Sequence, residues 1–158
     1  MLKITSQLVS EVSSQAKANT RRRQHYNFHK TYGEPIQRLL NACEPDSYFR
    51  PHNHTDSQIL EILLIVRGEI VVVIFDDFGN IRDYAILSHK TLNYGVEILP
   101  NEWHSMIALE PGSVMFEIKE GPFDESRAKV FAPWAPVENS PEAEEFNALI
   151  LRKLKIKI

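Results

Sequence analysis

A chain of 158 residues can bury one core of ordinary size but not two independent ones. Its 18 Lys and Arg against 21 Asp and Glu give a formal net charge of -3, which excludes the broad positive field of a nucleic-acid binder. The single cysteine, Cys43, excludes an internal disulfide, and the longest apolar runs, residues 59–66 and 70–75, fall far short of the ~20 residues of a membrane span. With no apolar leader, the expectation is a cytoplasmic protein with no membrane partner.

The elements follow in chain order within one expected domain: an N-terminal helix and strap over 1–36, a barrel core over 37–119, and a strap with a final helix over 120–158. Residues 1–23 are Ser-rich, end in Arg21-Arg22-Arg23 and carry one acid, Glu11, loosely like an organellar transit peptide. The alternative is a surface helix capped by Ser6, with Leu8, Val9, Val12 and Ala16 as its apolar stripe. From 37 to 119, short β-rich runs separated by turn residues predict an all-β sandwich or barrel. Residues 59–66 and 69–75 read as a hairpin closed at Gly68, and the turn clusters 76–80 and 110–113 predict further hairpins. Both central strands are apolar at nearly every position, so terminal segments or a second copy must cover both faces, which favours a homodimer. The proline-punctuated stretch 131–136 predicts an extended strap carrying Trp134, and Arg21 to Arg23 a solvated or strap-anchoring charge cluster rather than a phosphate site. The last helix starts at Ser140-Pro141 and packs through Ala143, Phe146, Leu149 and Ile150.

The chemistry concentrates in Pro51-His52-Asn53-His54. Residues i and i+2 of an extended strand face the same side, so His52 and His54 can converge on one ion. Glu61 stands between Leu60 and Ile62 in an apolar strand, where a carboxylate is costly unless it is paired or binds a cation. Arg67 or Arg38 could supply the pairing instead. His104 offers a third imidazole at the start of a later strand. Together His52, His54, Glu61 and His104 predict a centre for a divalent transition metal such as Fe, Zn, Mn or Ni, with positions left open for water or substrate.

These residues resemble the motifs of the cupin superfamily. Asp46, His52, His54, Glu61 and Gly68 fall at the places of its first motif, with Asp46 where glycine is usual and a longer gap between His54 and Glu61. Gly95, Pro100 and His104 follow the second motif, with Glu102 in place of a glycine and a shortened spacing. More narrowly, the chain is similar to the WbuC family of cupin-fold metalloproteins. The matching stretches are Arg21-Arg22-Arg23 with Asn27 and His29, Gln37-Arg38-Leu39, residues 44–48 and 50–54, 108–112, Phe116-Glu117-Ile118-Lys119 with Gly121-Pro122, and 131–136. The resemblance implies an all-β-dominant fold, a cupin double-stranded β-helix or jelly-roll barrel with a helix at each end. It also implies a cytosolic bacterial protein of lipopolysaccharide O-antigen or exopolysaccharide biosynthesis, and it argues against a cleaved leader.

Asn27, Gln37, Arg38 and Arg50 are the predicted substrate contacts at the barrel mouth, Arg38 for an anionic group, and His29 is the predicted proton acceptor. The ligand class is a small molecule, a sugar or nucleotide-sugar. Three functions compete: a metal-dependent isomerase or epimerase using the ion as Lewis acid, a non-haem iron dioxygenase, and a non-catalytic sugar-binding or accessory module with a structural metal.

Overall fold

The computed structural model describes residues 1–54, 59–124 and 129–157, the side chain of Glu144 excepted. Among these residues the chain forms α1 (Ser6–Ala18), β1 (Arg23–Asn27), β2 (Ile36–Cys43), β3 (His52–Asn53), β4 (Glu61–Arg67), β5 (Glu69–Phe75), β6 (Ile81–Ser88), β7 (Gly95–Ile98), β8 (Trp103–Ala108), β9 (Ser113–Glu120), β10 (Val130–Phe131) and α2 (Pro141–Leu154). Two five-stranded sheets face each other, ordered β1-β2-β9-β4-β7 and β10-β3-β8-β5-β6, with antiparallel neighbours throughout. This is a jelly-roll barrel with a helix at each end.

Side-chain alternation sorts the apolar residues into three layers. Leu63, Ile65, Ile70, Val72, Leu87, Ile98, Met106 and Met115 fill the space between the sheets. The opposite face of β5, Val71, Val73 and Phe75, packs with Ile107 against Ile150 and Leu151 of α2. Val9, Val12 and Ala16 of α1 cover Leu40, Ala42 and Val114 on the outside of the other sheet. The chain's own helices therefore supply much of the two-sided cover that the apolar strands require. Cover is incomplete toward β4, where Leu64 is 39% exposed.

Three local expectations need correction. Thr5, not Ser6, caps α1, its hydroxyl accepting the Leu8 N–H at 3.2 Å. In α2 Leu149 points outward; Asn147 and Leu151 are buried with Ala143 and Ile150, the spacing a 3.6-residue period demands. The third correction concerns topology: β4 and β5 do not pair, and neither do β8 and β9. Gly68 and the 110–113 turn are corners at which the chain crosses from one sheet to the other. Only the 76–80 turn closes a hairpin, between β5 and β6.

The two corners interlock. Ser113 Oγ accepts the Glu69 N–H at 3.1 Å and donates to the Glu110 carbonyl at 2.7 Å, and Arg67 Nε donates to the Gly112 carbonyl at 3.0 Å. The strap is part strand, since β10 pairs with β3, and Trp134 packs on Phe75 with ring centroids 5.2 Å apart. Arg21 and Arg23 both reach Glu138 just after the strap, at 2.7 and 2.8 Å, while Arg22 pairs with Asp46 at 2.8 Å.

Gly68 has φ +78°, and a Cβ there would lie 2.4 Å from Ser113 Oγ and 2.9 Å from Ser113 Cα. Gly68→Ala is expected to cost about 2–4 kcal/mol from left-handed strain and overlap. Gly33→Ala, whose Cβ would meet nothing nearer than 3.8 Å, should change stability by no more than about 0.5 kcal/mol. Urea unfolding of the two variants checks both values.

Candidate metal centre

Strand pairing builds the centre. β3 lies beside β8 with His52 opposite His104, and alternation turns both imidazoles and that of His54 into the barrel. Across the gap, Glu61 opens β4 on the inner face of the facing sheet, flanked by Ile98 and Lys119. All four side chains are buried. One ligand nitrogen from each of His52, His54 and His104 lies within 4.8 Å of the others, and the ring centroids stand 4.4–5.4 Å apart. That clustering approaches what ligands about 2.1 Å from a single ion require.

Backbone carbonyls set the tautomers. A carbonyl only accepts, so His52 Nδ1 donates to Arg50 O at 3.0 Å and His104 Nδ1 donates to Glu102 O at 2.8 Å. Both rings keep the Nε2 lone pair for the interior, the orientation common to metal-binding histidines. His104 Nε2 is buried with no hydrogen-bond partner among the described residues. A buried, unpartnered acceptor costs about 1–3 kcal/mol unless a cation or donor meets it. His54 Nε2 donates to Glu61 Oε2 at 2.9 Å, and His104 Nε2 lies 3.8 Å from the same oxygen. These three imidazoles and one carboxylate fit a divalent transition ion.

The electrostatics agree. Burial drives the His52 imidazolium well below its ordinary range, with the Lys129 charge adding to the effect. It also takes His104 down to about 4 despite Glu61. Burial opposes the charge on Glu61, but the His54 hydrogen bond and Lys119 outweigh it and hold the carboxyl well below the usual range. Neutral His52 and His104 beside an ionised carboxylate present lone pairs that an ion can take up without displacing a proton from either ring. Neither arginine considered as a partner for Glu61 supplies it: Arg67 bonds Gly112 O and Ser10 Oγ, and Arg38 pairs with Glu34.

The inner face of β9 continues the polar lining. Glu117 is buried and Lys119 partly so, and their side chains meet at 3.0 Å. Asn41 Nδ2 donates to the other Glu117 oxygen. The cost of burial that singles out Glu61 marks Glu117 as well, inside the otherwise apolar run 114–118, with Lys119 following it.

The predicted substrate residues divide. Gln37 and Asn27 lie on the inner faces of β2 and β1, with Gln37 Nε2 donating to the Tyr32 and Glu34 carbonyls at 3.2 and 2.8 Å. Arg38, with Leu40 and Ala42, faces outward and does not reach the histidines. Arg50 stacks its guanidinium 5.0 Å over Phe131 and donates to Ala132 O at 3.4 Å, committed to the strap. His29 is buried just after β1, its Nδ1 within hydrogen-bond distance of both the Arg38 N–H, at 3.1 Å, and the Arg38 carbonyl, at 3.2 Å.

Paired five-stranded sheets enclosing a three-histidine, one-carboxylate pocket define a cupin-type barrel. Solved structures share the fold: KdgF from Halomonas sp. (TM-score 0.51, 18% identity, 66% of this chain and 82% of that one) and a cupin 2 domain-containing protein from Halorhodospira halophila (TM-score 0.54, 15% identity, 86% and 85%). The capsular polysaccharide assembling protein CapF from Staphylococcus aureus matches with a TM-score of 0.57 and 20% identity over 68% of this chain, which spans only 29% of CapF. No curated protein matches the sequence. The chain belongs to the family described as Domain of unknown function (DUF6016), whose sequence profile matches residues 4–87 and so includes His52, His54 and Glu61. No helix among the described residues is long and apolar enough to cross a membrane.

Because His104 titrates near 4 when folded and near 6.5 when unfolded, the unfolded chain takes up the proton first as pH falls. Stability of the chelated protein is therefore complete above about pH 6.5 and declines toward pH 4, by on the order of 3 kcal/mol from His104 alone. Urea midpoints measured in chelator at pH 7.5, 6 and 5 should fall in that order, with His104→Gln flattening the trend.

Proposed function

We propose that His52, His54, Glu61 and His104 hold one divalent transition ion. We further propose that the protein uses this centre on a small, polar, carbohydrate-derived substrate, in isomerase- or epimerase-like chemistry of surface polysaccharide biosynthesis. The observation that carries the reading is the convergence of three buried imidazoles, two of them 2.9 and 3.8 Å from Glu61, with His104 Nε2 left without a hydrogen-bond partner among the described residues. When bound, such an ion polarises a substrate carbonyl or hydroxyl and lowers the pKa of bound water.

The chain's own residues supply the rest. The Arg50 and Glu102 carbonyls fix two imidazoles in the ligating tautomer. Ile74, opposite His104, and Ile98, opposite Glu61, keep water from the flanks of the site. Burial and the nearby Glu61 raise the Glu117 carboxyl above its ordinary range, toward the value a base working near neutrality needs. Glu117 is therefore the better placed proton acceptor. The similarity to the WbuC family supports the polysaccharide setting, and CapF, named for capsular polysaccharide assembly, shares the fold.

Elemental analysis tests the centre: the purified protein should carry about one ion per chain, and His52→Ala and His104→Ala should lose most of it. Solvent deuterium incorporation next to the carbonyl of a keto-sugar phosphate tests the chemistry. Glu117→Gln should keep its metal and slow the exchange about 10²–10⁴-fold. Oxygen uptake by the Fe(II)-loaded protein in place of exchange would favour the dioxygenase.

A further inference from the structure

The strap strand carries a cation that the metal centre does not use. Phe131 pairs with His52 and shares its face, their rings 6.3 Å apart. Lys129, two residues earlier, lies on that same face by strand alternation and is exposed at the edge of the sheet. Its ammonium has no hydrogen bond or ion pair among the described residues, yet its charge bears on His52, His104, His25 and Glu117.

Lys119 approaches from the facing sheet. One of the three N–H donors of its ammonium serves Glu117, which leaves two for another acceptor. Nearby Arg23 is not available in the same way, since it is spent on Glu138 and on the Tyr48 carbonyl.

The charge balance then points to a ligand. Glu61 and Glu117 offset Lys119 and Lys129, so a bound divalent ion leaves the site and its rim, where Lys129 is exposed, with an excess of about two positive charges. That excess favours an anion over a neutral molecule of equal size. We propose that Lys119 and Lys129 form an anion subsite opposite the histidines, and that the substrate is an oxygen-rich anion bearing a carboxylate or phosphate beside the oxygen that meets the ion. This rests on the metal reading for the excess charge, while the two lysines are in place without it. The subsite also assigns a role to the polar alternation of β9, and it places the recognition of charge on the barrel's inside, where Arg38 does not reach.

Titration calorimetry tests the subsite with glucuronate, glucose 6-phosphate and neutral glucose as probes, on metal-loaded and on chelated protein, alongside elemental analysis of each sample. In the loaded protein an anionic probe should bind at least tenfold tighter than glucose. Lys129→Met, on an exposed edge strand, should keep the metal and the thermal midpoint and lose about tenfold in anion affinity. Lys119→Met should act in the same direction. Preference for glucuronate or for the phosphate identifies which anion the subsite was built for. Equal affinity for glucose and both anions, or unchanged anion affinity in a folded Lys129→Met, overturns the proposal. If the wild type holds no metal but the chelated protein still binds an anion through Lys129, the metal reading fails and the subsite stands.

Discussion

A carboxylate inside an aliphatic barrel is the constraint around which this molecule is organised. Glu61 sits on a strand whose inward neighbours are Leu63 and Ile65, where a lone charge would cost several kcal/mol. The fold answers with a hydrogen bond from His54, with His104 at 3.8 Å from the same oxygen, and with Lys119 opposite on β9. Each answer brings a further polar group inside, and each of these needs its own partner: Glu117 for Lys119, Asn41 for Glu117, the Arg50 and Glu102 carbonyls for His52 and His104. The demand stops at His104 Nε2. A cation there would complete the network.

The rest of the architecture makes this polar cluster tolerable. Aliphatic side chains fill the barrel, and α1 and α2 cover most of its outer faces. The interlocked corners at Gly68 and Ser113 pass β4 and β9 into one sheet and β5 and β8 into the other, which sets Glu61 and Lys119 across from His104 and His52. The strap adds β10 to the edge of β3 and is tied down by Arg21, Arg23 and Glu138. Binding chemistry thus depends on crossings and anchors remote from it in sequence.

What was legible in the sequence followed from local periodicity and from the cost of burial. Two-residue alternation brought His52 and His54 to one face, and burial cost marked Glu61, because both depend only on neighbours along the chain. The stripe of α1 and the need to cover both faces of β5 were readable for the same reason. Pairing partners were not readable: Gly68 can close a hairpin or turn a corner with the same positive φ, and only the contact with Ser113 decides. Arg38 illustrates the same gap, since a strand predicted without its register leaves the inner face undefined. Lys129 lies far from the histidines in sequence, and only the pairing of β10 with β3 brings it near them.

The central claim is that one ion sits among His52, His54, His104 and Glu61. Metal-edge X-ray absorption on protein purified with its native metal reads the ligands directly. The account predicts about three imidazole nitrogens, seen by their multiple-scattering pattern, and a carboxylate oxygen at about 2.0–2.2 Å. A spectrum with no imidazole scattering, or one that is unchanged when His104 is replaced by alanine, would contradict it.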